Sequence, residues 1–137
     1  MNRTISLPVF ALALFTQTAG PLLAASDPHL RQYGKAFYFS GGASERARER
    51  LQSMGRDFNL KLILATRTGA MLFDAHIAVD DEKGMRMLDA HAEGPVFYAK
   101  LPQGRYEVAA YAKGSTVREA VTLDLRNQKM LDLRWDD

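Results

Sequence analysis

The chain has 137 residues with a net charge of +2, and 47% of them are hydrophobic, which indicates a single globular domain. It contains no cysteine, which excludes a disulfide framework and thiolate chemistry. The nearly balanced charge gives no reason to expect nucleic acid as a partner.

The first 25 residues have the pattern of a cleaved secretory signal peptide. Arg3 gives a positive start, residues 5–15 form a short apolar run, and Ala24 and Ala25 offer a cleavage site before Ser26. The apolar run is shorter than the roughly 20 residues that a membrane-spanning helix needs. A retained N-terminal membrane anchor is the alternative. The pattern predicts an exported protein, periplasmic or secreted, whose mature chain has no transmembrane anchor.

Two segments are predicted to follow the signal peptide, an irregular N-terminal stretch at 26–43 and a short amphipathic helix at 44–58. Ser44 suits the N-cap of this helix, and Gly55 suits its C-cap. Apolar residues recur at helical spacing along one side, at Ala47, Leu51, Met54 and Phe58. We expect this side of the helix to lie against the rest of the domain.

Over residues 59–137 the hydrophobic period changes from the helical repeat to an alternation of two. Alternating segments recur at roughly ten-residue spacing, and turn signals such as Thr68-Gly69 and Lys113-Gly114 separate them. This pattern predicts an all-β domain of about seven antiparallel strands, either an immunoglobulin-like β-sandwich or a small barrel. The short helix is expected to pack on this domain as part of one unit.

Residues 101–110 read Leu-Pro-Gln-Gly-Arg-Tyr-Glu-Val-Ala-Ala, which resembles the LPxGxYxVxA signature of bacterial carboxypeptidase regulatory-like domains. Asp74 and the segments 40–42, 59–62 and 94–95 are also similar to those of small periplasmic proteins of this type. The resemblance covers nearly all of the predicted mature chain and implies a transthyretin-like β-sandwich.

The same motif also has a purely structural interpretation. Pro102 after Leu101 fixes φ where a strand ends, and Gly104 can adopt the positive φ that the following turn needs. Tyr106 can bury its ring while its hydroxyl reaches a nearby backbone group, as in the tyrosine corner of sandwich proteins. We therefore expect these four residues to hold a strand connection rather than a ligand.

The resemblance implies no enzymatic activity. The 137 residues contain no zinc-peptidase domain, and the last five, 133–137, lack the Tyr-Arg-Gly-Ser tail of the hydroxyisourate hydrolases that share the transthyretin-like fold. No nucleophile motif such as G-x-S-x-G is present. We expect a protein that is not an enzyme and has no catalytic residues and no cofactor. A deep pocket holding Asp74, His76 and Arg86 would instead indicate an enzyme.

Metal binding was considered at two places. A metal site needs His29, His76 or His91 to converge, but the turn at 81–84 predicts a register that puts His76 opposite Ala90 and leaves His91 on the other face. The acidic run 80–82 lacks the spaced oxygen ligands of a dedicated calcium loop and is expected to be a solvated turn. The sequence therefore predicts no metal site.

Two surfaces are candidates for binding a partner. Arg46, Arg48 and Arg50 on the predicted helix form a surface for anionic lipid headgroups or an acidic protein, although Glu49 can neutralise part of it. Tyr98 and Tyr111 are predicted to point outward from their strands, where they would form a flat platform for a sugar ring. The sequence thus predicts a non-catalytic binding or protein-interaction module, and the alternative is a carbohydrate-binding module that uses these tyrosines.

Overall fold

The computed structural model describes residues 29–137, so the predicted signal peptide lies outside the described part of the chain. This part is mostly β, with two sheets and one α-helix. Its elements in chain order are β1 (Arg31–Tyr33), β2 (Ala36–Gly41), α1 (Glu45–Met54), a 3-10 turn (Gly55–Asp57), β3 (Leu60–Thr66), β4 (His76–Asp81), β5 (Arg86–His91), β6 (Val96–Lys100), β7 (Gly104–Ala112), β8 (Ser115–Leu123) and β9 (Lys129–Trp135).

The prediction of an irregular stretch at 26–43 was wrong for most of its described part. β1 and β2 form an antiparallel hairpin there, with Tyr33 opposite Ala36. β2 also pairs with β6 along its whole length, from Phe37 opposite Lys100 to Gly41 opposite Val96. These two strands raise the strand count in residues 29–137 from the predicted seven to nine.

The helix begins and ends near the predicted positions. The Ser44 side chain accepts a hydrogen bond from the Ala47 backbone N–H at 3.1 Å and forms the N-cap of α1, and Gly55 is its C-cap. The backbone carbonyls at this end are also bound by another segment, because the Gln128 side chain donates to the carbonyls of Gly55 and Phe58 at 2.8 and 2.9 Å. The helix end is thereby tied to the loop before β9.

The nine strands form two separate sheets. The five-stranded sheet has the order β1-β2-β6-β3-β9, and the four-stranded sheet has the order β5-β4-β7-β8. The pairs are antiparallel except for β3 and β9, which run parallel from Leu60 opposite Lys129 to Thr66 opposite Trp135. The prediction of an entirely antiparallel arrangement was therefore wrong at this pair, which joins strands that are far apart in sequence.

One hydrophobic core lies between the two sheets. The five-stranded sheet contributes alternate residues of β3, β6 and β9, and the four-stranded sheet contributes alternate residues of β4, β5 and β7. Fully buried members of this core include Leu60, Leu62, Leu64, Phe97 and Leu133 from the first sheet and Ile77, Val79, Leu88 and Val108 from the second. The opposite faces of the two sheets point away from this core.

A second, smaller core lies on the outer face of the five-stranded sheet, beneath α1. Leu51 of the helix is 1% exposed there and packs with Phe39, Val96 and Tyr98 of the sheet. The ring of Tyr98 stacks on that of Phe39 at 5.2 Å, and the helix approaches it so closely that a Cβ on Gly55 would lie 2.4 Å from the Tyr98 ring. We call this helix-covered surface the covered face.

The connection between β6 and β7 has the geometry that the LPxGxY motif predicts. The Tyr106 hydroxyl donates to the Pro102 carbonyl at 2.6 Å, so the tyrosine corner is present, and Gly104 has a φ of +159°. Leu101 is held by Asn59, whose buried side chain accepts from the Leu101 N–H at 3.1 Å and donates to its carbonyl at 2.8 Å. The motif therefore serves to join the two sheets.

Among residues 29–137, no helix is long and apolar enough to cross a lipid bilayer.

Candidate binding site

Among the described residues, no helix lies over the outer face of the four-stranded sheet, and we call this face the open face. The strand registers arrange its side chains in rows that run across β5, β4, β7 and β8. One row is His91, His76, Tyr111 and Thr116, and the next is Asp89, Ala78, Ala109 and Arg118. In a third row Asp80 lies between Arg86 and Glu107. The face therefore combines small, aromatic and charged side chains within a few ångströms of one another.

A shallow hollow of about 210 Å³ occupies the middle of the open face. Its floor is formed by Ala78 and Ala109, whose short side chains leave room between the longer ones around them. Its rim is formed by His76, Asp80, Arg86, Tyr111, Thr116 and Arg118. Tyr111 is 52% exposed, so one side of its ring remains available to a ligand.

The charged side chains of the open face neutralise one another. Arg86 contacts Asp80 at 2.5 Å and Asp89 at 3.1 Å, and Arg118 contacts Glu107 at 3.5 Å. The hydrogen bond to His76 and the neighbouring Arg86 guanidinium hold the pKa of the Asp89 carboxyl below its usual value. The hydrogen bond to Asp80 raises the pKa of Arg86 in turn. The pairing fixes these side chains in position while the face stays close to electrical neutrality.

The predicted separation of His76 and His91 was wrong, because the two residues are direct cross-strand partners on the open face. A register irregularity between Val79 and Asp80 shifts the pairing of β4 and β5 by one residue, and such a shift moves a side chain to the other face. Each imidazole contacts a carboxylate through its Nε2 atom, His76 with Asp89 at 2.5 Å and His91 with Asp74 at 3.3 Å.

These histidines do not assemble a metal centre with their neighbours. In the part of the chain that the structure describes, no three His, Asp or Glu side chains are arranged to hold a metal ion. His29 is exposed ahead of β1. In the acidic turn the Asp81 carboxylate accepts from the backbone N–H groups of Lys83 and Met85, both at 2.9 Å, so it stabilises the turn itself.

Of the three residues that would have indicated an enzyme, only two lie together in the open-face hollow. His76 and Arg86 line the open-face hollow, but Asp74 does not line it. Asp74 is exposed in the loop before β4, where it has a φ of +65° and contacts His91. The hollow is also open to solvent rather than deep. The arrangement favours holding a polar ligand over desolvating a reacting group.

The predicted exposure of Tyr98 was wrong, although its outward direction was predicted correctly. Its side chain does point away from the shared core, but that direction leads beneath α1, and only 1% of the residue is exposed. The Lys61 ammonium also lies over its ring at 5.5 Å. Tyr111 is on the other sheet, so the two tyrosines cannot form one platform. The sequence could not show which sheet the helix covers.

Of the three arginines in the predicted surface of the helix, Arg48 has a structural contact. Its guanidinium is partly buried and donates to the Gly42 carbonyl at 3.0 Å, across the turn that precedes the helix. Arg46 and Arg50 remain exposed. The three side chains therefore do not form a uniform basic surface.

Sequence reasoning missed the residues that complete the open-face site, namely Ala78, Asp80, Ala109, Thr116 and Arg118. Their signal was present in the sequence, because small and charged residues alternate with the core residues of β4, β7 and β8. The register that brings them together depends on the β4–β7 pairing, which no local pattern predicts. No family model matches this chain, and no curated protein is significantly similar to it.

Proposed function

We propose that this chain is an exported, non-catalytic binding module with a transthyretin-like β-sandwich of the carboxypeptidase regulatory-like type, and that its open face binds the ligand. The pattern of residues 1–25 supports export to the periplasm or beyond. The tyrosine corner at Tyr106 and the core shared by two sheets support the sandwich. Within residues 29–137 the outer face of the second sheet is not covered by a helix, so its polar side chains are accessible to a ligand.

The observation that carries the proposal is the exposed ring of Tyr111 beside an alanine-floored hollow. Short side chains at Ala78 and Ala109 let a flat ligand approach the sheet, and the aromatic ring offers an apolar surface at one side. Around it, Arg118, Thr116 and His76 offer hydrogen-bond donors and acceptors. An aromatic or apolar surface combined with a small number of oriented polar groups is typical of small-ligand sites.

The charge balance of the open face favours a neutral, polyhydroxylated ligand such as a sugar. An anionic ligand would have to break the contacts of Arg86 and Arg118 with their carboxylates, which costs the pairing energy of each. A sugar leaves the pairs intact and uses the lone pairs and N–H groups that remain. The carbohydrate interpretation thereby depends on Tyr111 alone rather than on two tyrosines.

The same pairing supports a non-catalytic role. A general base near neutral pH needs a pKa close to 7, whereas the pKa of Asp89 is held low by His76 and Arg86. The hollow is shallow and wet, so it offers no water-excluded place in which a developing charge would be stabilised. Binding is therefore the function that this geometry supports best.

A glycan array probed with the purified protein tests the sugar proposal. We expect wild-type protein to bind neutral glycans and Tyr111→Ala to lose that binding by at least about tenfold, because one stacking contact is lost. Tyr33→Ala is the matched control, since Tyr33 is also exposed but lies on β1 of the other sheet. No binding by wild type, or equal loss in both variants, would overturn the assignment.

The export proposal has its own test. Mass spectrometry of the protein from an osmotic-shock fraction should give a mature N-terminus at Ser26, because the small residues Ala24 and Ala25 precede it. An N-terminus at Met1 in a membrane fraction would support the retained anchor instead. This result is independent of the glycan experiment, so each proposal can fail separately.

A further inference from the structure

A second surface lies at the end of the molecule that carries the β6–β7 connection. Two adjoining hollows of about 290 Å³ each open there, and they share Lys100 and Leu125 in their walls. We call this surface the basic end patch and define it by six lining residues, Lys35, Phe37, Arg56, Lys100, Leu125 and Arg126. The patch is separate from the open face, because the two share no lining residue.

The four cations of the basic end patch come from four different segments. Lys35 lies in the β1–β2 turn, Arg56 follows α1, Lys100 ends β6, and Arg126 lies in the loop before β9. All four are exposed. Within residues 29–137 none of them lies within ion-pair distance of a carboxylate, in contrast to Arg86 and Arg118 on the open face. Asp57 is the carboxylate that lines the patch.

Two apolar side chains are exposed among these cations. Phe37 is 38% exposed and lies directly opposite Lys100 on the neighbouring strand. Leu125 is 65% exposed in the β8–β9 loop, and both side chains border the same hollow. Exposed apolar residues beside cations that have no carboxylate partner are complementary to an anionic and partly apolar partner.

The shape of the patch favours a bilayer over a polypeptide as that partner. An acidic peptide added as a strand would need an unpaired strand edge, but β2 and β6, which carry Phe37 and Lys100, are both interior strands of the five-stranded sheet. The remaining cations are on separate loops around the apolar pair. Cations at the headgroups with aromatic and aliphatic side chains at the acyl boundary are the usual composition of interfacial binding surfaces.

We propose that the basic end patch docks on an anionic bilayer surface, with Phe37 and Leu125 entering the interfacial region and the four cations contacting lipid phosphates. This role goes beyond the proposed ligand binding at the open face. It would hold the protein at a membrane surface while the open face stays free.

Vesicle co-sedimentation with the purified protein tests the proposal. Vesicles of phosphatidylcholine with about one third phosphatidylglycerol are compared with pure phosphatidylcholine vesicles, at low and at physiological salt. We expect binding to the anionic vesicles only, and less of it as salt rises. The double variant Lys35→Glu/Lys100→Glu should lower the bound fraction at least about tenfold, and Leu125→Ser should lower it without changing the salt dependence.

The control is Lys83→Glu/Lys113→Glu, which makes the same change in net charge at two exposed residues outside the patch. It should bind as wild type does, and thermal unfolding should show that all variants are folded. Equal loss in the control, equal binding to both vesicle types, or no vesicle binding by wild type would overturn the proposal. Binding to poly-glutamate without vesicle binding would overturn it in favour of an acidic protein partner.

Discussion

The two sheets share one core, but their outer faces differ completely. The covered face is aromatic and aliphatic, and α1 buries it with Leu51 against Phe39 and Tyr98. The open face carries alanines, one exposed tyrosine and charges that pair with one another. An antiparallel sheet needs to bury only one face to be stable. The five-stranded sheet buries its second face as well, beneath α1.

The most conspicuous amphipathic element of the sequence has a structural role, because it covers the outer face of the five-stranded sheet. The helix attracts attention in the sequence because its arginines stand out, but its apolar side closes a second core. The sheet that has no such cover keeps a polar face that folding does not use. Substitutions on the covered face should therefore affect stability, whereas substitutions on the open face should affect binding.

The largest effect is expected from Leu51→Ala on the covered face. Leu51 is 1% exposed, and a Leu→Ala change at a buried position costs about 2–5 kcal/mol of unfolding free energy. Met54→Ala on the same helix is the control, since Met54 is 40% exposed and should cost less than about 1 kcal/mol. Urea unfolding measures both. Similar losses in the two variants would mean that the helix does not close a core.

Gly55→Ala should be the next most damaging change. In an open helix end this change would stabilise, because alanine has the higher helix propensity by about 1 kcal/mol. Here the added Cβ would lie 2.4 Å from the Tyr98 ring, so we expect a loss of about 1–3 kcal/mol. Ser53→Ala, two residues earlier and exposed, is the control and should be neutral or slightly stabilising. A stabilised Gly55→Ala variant would contradict the close packing.

The variant Tyr106→Phe tests the core that lies between the two sheets. Loss of the hydroxyl contact with the Pro102 carbonyl should cost about 1 kcal/mol at pH 7. Burial raises the pKa of Tyr106, so its contribution to stability is present below about pH 10 and falls as the pH rises toward the folded-state pKa.

Urea unfolding at neutral and strongly alkaline pH measures both effects of this hydroxyl. The wild type should lose more stability on alkalinisation than Tyr106→Phe does. Tyr111→Phe removes an exposed hydroxyl from the open face and should change neither value. A pH dependence that Tyr106→Phe leaves unchanged would assign the alkaline transition to another group.

Asp89→Asn on the open face should have the smallest effect. The carboxylate is partly exposed, so its pairs with His76 and Arg86 are screened, and we expect a loss below about 1 kcal/mol at neutral pH. Its lowered pKa means that this stability is present above about pH 4 and is lost as the pH falls through the folded-state pKa. The stability of Asp89→Asn should therefore fall less steeply with decreasing pH than that of wild type, which acid unfolding measures. The control is Glu119→Gln on the exposed strand β8, which should match wild type.

Local chemistry made part of this architecture predictable. Ser44 marks the start of the helix because its hydroxyl can cap the first turn. Gly55 marks the end of the helix because it has no side chain. The LPxGxY motif predicts its own corner, since Pro102 and Tyr106 are only four residues apart and need no distant partner. The alternation after residue 59 likewise predicts most of the strands.

The candidate site was less predictable because it depends on contacts between distant segments. The register irregularity after Val79 brings His91 opposite His76, and a shift of one residue cannot be read from the turn alone. Tyr98 looked exposed because its burial depends on where the helix packs. The hairpin of β1 and β2 was missed because β1 has only three residues and β2 is stabilised by pairing with the distant strand β6.

The parallel pairing of β3 with β9 has a consequence for the time at which the domain can fold. β9 comes last in the chain, and Trp135 at its end is 2% exposed in the shared core. Because the two strands are far apart in sequence, the entropy of closing the loop between them is lost late in folding. The five-stranded sheet therefore cannot be completed until β9 has left the ribosome.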